Sequence, residues 1–314
     1  MSKANKTDYT STFFSSLFVI IAASLWAVDG IVLRPSLYSL PVTLVVFIES
    51  SIVALLLTPF FKKYFPVIKQ LTPKDWLAFI GVALFGGAIG TMAITRALFY
   101  VDFVNLSIVV FIQKMQPIFA IALAGIFLKE KLKPLFFVWA AIAILGAYIM
   151  TFGFDFPNLN TGDKTMIAAL FALLAAASFG SSTVLSKRAL KNVSFEVGTY
   201  LRFSITAVIM LVIVLSSGTI SSAAQISSTQ IWIFLIIAFS TGGPAIFLYY
   251  YGLKNISASV ATICELAFPL VAVILEYFVH GKILSPVQWI GVMLLLFSII
   301  KVSGIKTSMW FKTS

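Results

Sequence analysis

Five ionisable residues fall deep inside long apolar stretches of this 314-residue chain: Asp29, Glu49, Lys114, Arg202 and Glu265. In hydrocarbon each costs several kcal/mol unless it is paired or faces water, so each marks a candidate binding or ion-handling position. Two of them lie next to prolines. Lys114 precedes Pro117, and Glu265 precedes Pro269, by about one helical turn. A proline frees the carbonyl about four residues earlier, here that of Gln113 or Glu265. Gln113, Lys114, Gln116 and Glu265 therefore bring polar side chains and loosened backbone to one level. Lys114 suits an anionic group such as a carboxylate, and Glu265 an ammonium or a coupling proton. The alternative is a mutual Lys114–Glu265 ion pair that only joins two helices. Both signs of charge at one depth favour a zwitterion, with an amino acid or amino-acid derivative as the first expectation.

Other candidates surround this level. Asp29, beside Gly30, stands where the second half of the chain has Ser182; it either lines the cavity entrance, binds a cation or proton, or is simply hydrated near the outer end of its helix. Glu49 and Arg202 are also equivalent positions of the two halves. An arginine has no neutral form, so pairing and a structural or gating role are expected. Arg96 ends a helix, where it gates or snorkels. Trp26 with Tyr249 and Tyr250 offers an aromatic face for stacking or cation–π contact, and at most two of the consecutive Tyr249, Tyr250 and Tyr251 can share that face. The candidate coupling or gating set is Asp29, Glu49, Arg202 and Arg96. The candidate substrate contacts are Lys114, Glu265, Gln113, Gln116, Trp26, Ser182, Tyr249 and Tyr250. Gly86, Gly87, Gly242 and Gly243 read as close-packing or hinge positions.

The scaffold that must hold these groups is itself apolar. Hydrophobic residues make up 60% of the chain and charged ones 11%, with a mean hydropathy of +1.04, against about 25% charged in a soluble domain. A membrane β-barrel would alternate apolar and polar residues over segments of about ten, whereas the run from Leu135 to Thr151 is almost continuously apolar. Cys264 is the only cysteine and His280 the only histidine, which excludes an intramolecular disulfide, a cysteine metal cluster and Ser–His chemistry. No Walker-type loop and no His-Glu-x-x-His occurs. No enzyme activity, metal or cofactor is expected.

Cutting at Pro, Gly and charged clusters gives ten apolar segments, at 12–33, 41–61, 75–96, 103–128, 134–153, 164–187, 195–216, 230–252, 256–279 and 285–304. Each is long enough to cross about 30 Å of hydrocarbon as a helix. The first carries Trp26 and Asp29 and is too long for a signal-peptide core, so it is read as a retained helix. Alternating the loops puts sixteen Lys and Arg on the side of the N-terminus and four, Arg34, Arg96, Lys164 and Lys282, on the other. By the positive-inside rule both ends are expected in the cytoplasm of a bacterial inner (plasma) membrane. The excess of 22 basic over 11 acidic residues thus orients helices and meets anionic lipid, and implies no nucleic-acid partner.

The chain also repeats itself. Trp76, Gly86 and Gly87 recur 156 residues on as Trp232, Gly242 and Gly243, and Pro117 and Pro134 recur 152 residues on as Pro269 and Pro286. Two halves result, 1–155 and 160–314. Five helices per half insert the second upside down relative to the first, so the fold class is all-α membrane protein with two inverted five-helix repeats.

This pattern resembles the drug/metabolite transporter superfamily, in particular its ten-helix EamA-type members. The resemblance rests on Ala97 to Leu132, with Gln116-Pro117 and the loop Lys129-Glu130-Lys131-Leu132. It rests also on the repeat from Phe268-Pro269 to His280-Gly281-Lys282, where Lys282 departs from the usual Gly-Glu, and on Ala176 to Ser182. It implies a basket of helices around a central cavity lined chiefly by the first, third, fourth, sixth, eighth and ninth. The function expected is secondary transport of a small polar metabolite by alternating access. Export of hydrophobic or cationic compounds and a non-transporting sensor are the alternatives. The partners expected are a small-molecule substrate and the lipid bilayer, with no required protein partner.

Overall fold

The computed structural model describes residues 4–100, 106–156, 163–281 and 283–304. Lys282 and the join between the halves at 157–162 lie outside them. Ten helices among the described residues are long and apolar enough to cross a membrane. They are α1 (Thr12–Leu37), α2 (Val42–Phe60), α3 (Pro73–Leu98), α4 (Val109–Phe127), α5 (Pro134–Phe152), α6 (Met166–Ala189), α7 (Phe195–Ser216), α8 (Ser228–Asn255), α9 (Ala258–Val279) and α10 (Pro286–Ser303). No strand occurs among the described residues. The chain is an all-α membrane protein of two inverted five-helix repeats.

Local chemistry sets the helix ends. Thr72 and Asp75 form a reciprocal capping box at the start of α3, and Ser227 and Gln230 form its counterpart at the start of α8, each satisfying backbone N–H groups that the first turn leaves open. Pro134 opens α5 and Pro286 opens α10, where the missing N–H costs no helical bond.

Hydrogen bonds between loops sort the chain ends of the helices onto two faces. On one face, Arg188 and Asn192 donate to Asp75 at 3.1 and 2.9 Å, Lys187 to the Leu253 carbonyl at 2.9 Å and Lys254 to the Val193 carbonyl at 2.6 Å. Glu130 accepts from the Ala258 N–H and the Ser259 hydroxyl at 2.8 and 2.6 Å. On the other face, Gln230 donates to Ser39 at 2.9 Å and Thr43 meets Thr219 at 3.0 Å. The loops α2–α3, α4–α5, α6–α7 and α8–α9 thus share one face, as ten alternating crossings require.

Interruptions of the helices recur in both halves. α4 breaks at Lys114 and Met115, and α9 at Glu265 and Leu266, one turn before Pro117 and Pro269. The Ile118 N–H turns to the Met115 carbonyl and the Phe268 N–H to the Glu265 carbonyl, both at 3.0 Å. The Glu265 carbonyl, expected free, is therefore taken up by a tightened turn. α3 and α8 contain π-helical turns, Ala83–Ile89 and Ala238–Gly242, and α1 contains a third, Asp29–Leu33. α5 and α10 pack on each other, with Gly146 and Gly291 at a crossing so close that a Cβ on Gly146 would lie 2.7 Å from the Leu295 backbone nitrogen.

Candidate functional site

A central cavity of about 830 Å³ lies among the helices. α5 and α10 contribute nothing to its wall. The wall does include α2 and α7, through Glu49, Ser50, Arg202 and Thr206, so the lining expected from six helices extends to eight. The cavity reaches Pro35, Tyr38, Leu98 and Glu276 near one face. Tyr250, Leu253 and Leu190, toward the other face, are buried and do not line the cavity.

Its floor is built around Glu265. The broken turn of α9 presents the carboxylate to three donors: Gln116 at 2.6 Å, Tyr249 at 2.7 Å and Thr183 at 3.3 Å. The Tyr249 and Thr183 hydroxyl oxygens lie 3.0 Å apart, their protons both directed at Glu265, and the Tyr249 ring lies 5.2 Å from that of Trp26. A buried carboxylate so bonded is satisfied without a cation. Lys114, from the broken turn of α4, is not within ion-pair distance of Glu265. Its ammonium sits 3.5 Å from the centroid of the Phe268 ring, and Phe268 in turn lies against Gly30 of α1. The alternative reading, a mutual Lys114–Glu265 ion pair, is not formed, because the two breaks point their side chains at different neighbours.

The second cluster joins α1 to α2. The guanidinium of Arg34 binds Asp29 at 2.6 and 2.8 Å and Glu49 at 3.2 Å. Sequence reading placed Arg34 among the loop charges and expected the pairing of Glu49 and Arg202 as equivalent positions. The π-helical turn at Asp29–Leu33 carries α1 on and brings residues five apart together, so Arg34 takes Glu49. Arg202 donates instead to the Tyr250 hydroxyl at 3.4 Å, with its guanidinium 5.8 Å from that ring.

The third cluster surrounds the π-helical turn of α3. A Cβ on Gly86 would collide with Ser182 and stand 3.3 Å from the Arg202 guanidinium, and one on Gly87 would collide with Thr206. The missing side chains let α6 and α7 approach here. Thr91 donates its hydroxyl to the Gly86 carbonyl at 3.3 Å, and the hydroxyls of Thr206 and of Thr241, on the matching turn of α8, have no partner.

Of the substrate contacts expected, Trp26, Gln113, Lys114, Gln116, Ser182, Tyr249 and Glu265 line the cavity. Tyr250 does not. It is wholly buried behind the wall, bonded to Ser186 at 3.1 Å, because successive residues of a helix point about 100° apart. Asp29, Glu49 and Arg202 are on the wall, whereas exposed Arg96 is not. Arg34, Thr183, Thr206, Thr241 and Phe268 were not foreseen. The five-residue spacing of Asp29 and Arg34 was the one signal available for the first. A hydroxyl in an apolar helix carries none, since it can always bond its own backbone.

The riboflavin transporter ImpX of Fusobacterium nucleatum is 46% identical to this chain over 92% of the chain and 97% of that protein. The uncharacterized transporter YwfM of Bacillus subtilis is 27% identical over 92% and 93%. A solved crystal structure of a protein with 16% identity shares the fold, with a TM-score of 0.69 over 92% of this chain and 96% of that one. The model of the EamA-like transporter family matches twice, over 13–152 and 166–304, once in each inverted half. With that match over both halves and relatives named as transporters, the chain belongs to the EamA-like transporter family of drug/metabolite transporters.

Proposed function

We propose that this transporter carries riboflavin, or a flavin close to it, through the central cavity by alternating access. The observation that carries the reading is the 46% identity to a riboflavin transporter along 97% of its length. The cavity supports it. Riboflavin joins a flat, neutral tricyclic ring to a polyhydroxylated chain, and a cavity of about 830 Å³ falls within the range of about 300–1,000 Å³ usual for such ligands. Trp26, Tyr249 and Phe268 supply aromatic surface for the ring. Ser182, Thr206 and Arg202, also on the wall, supply hydroxyl and N–H groups for the chain. The paired breaks of α4 and α9 and the paired π-helical turns of α3 and α8 provide bending points at equivalent places of the two repeats.

An amino-acid substrate loses its basis. It required Lys114 and Glu265 to offer opposite charges to one ligand, and Glu265 is already held by three donors while Lys114 lies on Phe268. Both chain ends are assigned to the cytoplasm of a bacterial plasma membrane on the sixteen-to-four distribution of basic residues.

The test is uptake. In proteoliposomes holding the purified chain, labelled riboflavin is expected to enter faster than into empty vesicles, with competition by excess unlabelled riboflavin and none by a mixture of amino acids. Competition by the amino acids with no movement of riboflavin would reverse the assignment.

A further inference from the structure

The Asp29–Arg34–Glu49 cluster has more acid than base. One guanidinium serves two carboxylates, at 2.6 and 3.2 Å, and this leaves an excess charge of −1 in the wall of a membrane-embedded cavity. One oxygen of each carboxylate, Asp29 Oδ1 and Glu49 Oε1, is buried and has no hydrogen-bond partner. Low-dielectric surroundings penalise both an uncompensated charge and an unpaired oxygen. The nearby groups do not cancel the excess. The other ionisable side chains on the cavity wall are Tyr38 beyond the end of α1, Lys114 of α4, Arg202 of α7, Tyr249 of α8, and Glu265 and Glu276 of α9. Lys114 and Arg202 only offset Glu265 and Glu276. Lys114 is occupied by the Phe268 ring and Arg202 by Tyr250.

We propose that this cluster is the coupling site of the transporter and binds one proton per transport cycle. The proton adds to one of the two unpaired carboxylate oxygens and brings the cluster of one guanidinium and two carboxylates to neutrality. The acid–base pair that remains keeps α1 tied to α2. Loss of the proton on the other side of the membrane restores the excess charge, so substrate movement follows the proton gradient. A sodium ion would need several oxygen ligands around it, and the cluster has two unpartnered side-chain oxygens among the described residues.

The transport arm of the test rests on the riboflavin reading, so a second arm is independent of substrate. In proteoliposomes, an imposed pH gradient is expected to speed riboflavin uptake several-fold, and a sodium gradient to leave it unchanged. Asp29→Asn and Glu49→Gln are expected to lose the response to pH while still exchanging riboflavin for riboflavin across the membrane. Uptake indifferent to pH in the unaltered protein, or driven by sodium, overturns the proton site and leaves the riboflavin reading standing. Failure of all riboflavin movement, exchange included, removes the riboflavin reading. The second arm then decides. Trp26 lies one turn from Asp29, and the tryptophan fluorescence of the detergent-purified protein is expected to titrate with pH in a step that Glu49→Gln abolishes. Identical titrations of the two proteins overturn the proposal whatever the substrate.

Discussion

Tyr249 of α8 donates its phenolic hydroxyl to Glu265 of α9 across 2.7 Å, and this bond makes one wall element out of two helices. The carboxylate holds the ring that faces Trp26, and the ring covers the carboxylate. Hydrogen bonds to a charged group contribute about 1.5–3 kcal/mol each, more than neutral ones. Tyr249→Phe is therefore expected to lower thermal stability and to weaken flavin binding together. Thermal unfolding in detergent with and without riboflavin measures both, and an unchanged midpoint would mean that Gln116 and Thr183 suffice for Glu265.

Ser182 and Thr206, near Gly86 and Gly87, line the cavity, and on the riboflavin proposal their hydroxyls serve the polyhydroxylated chain. Ser182→Ala and Thr206→Val are each expected to weaken riboflavin binding by about 3–10-fold, the worth of one neutral hydrogen bond. Lumiflavin, which keeps the ring and lacks the hydroxylated chain, is expected to bind these variants and the unaltered protein alike. Quenching of flavin fluorescence on binding reads both ligands.

Gly86 is a position of close approach, where a methyl group meets Ser182 and the Arg202 guanidinium. Overpacking of this kind costs about 1–3 kcal/mol. Gly86→Ala is expected to lower the unfolding temperature and the rate of riboflavin uptake, whereas Gly125→Ala, where a Cβ meets nothing within 4 Å, is expected to change neither.

Lys129, in the loop after α4, has a φ of 56° and is the one non-glycine residue with positive φ among the described residues. The left-handed conformation costs an L residue roughly 1–2 kcal/mol, part of which glycine gives back through the entropy of its unfolded chain. Lys129→Gly is expected to raise the unfolding temperature slightly and to leave riboflavin uptake unchanged. A fall in stability would mean that the lysine side chain itself contributes to the loop.

The sequence by itself determined what depends on composition along the chain. The length of each apolar run, the Lys and Arg between runs and the recurrence of Trp-Gly-Gly and proline positions are local properties, and they yielded ten spans and two inverted halves. The prolines at 117 and 269 likewise located the breaks of α4 and α9, because a missing N–H acts within one turn. Rotation of each helix about its own axis was decided only in three dimensions. A soluble helix announces its buried face by amphipathic contrast, but lipid and protein interior are equally apolar, so these helices have almost none. Hence Tyr249 and Tyr250 could not be told apart, although one faces the cavity and the other lies behind its wall. The partner of Glu49 was hidden for a related reason. A π-helical turn in α1, Asp29–Leu33, shifted Arg34 into reach, and that widened turn, absent from any helical wheel, moved the buried ion pair from α7 to α1.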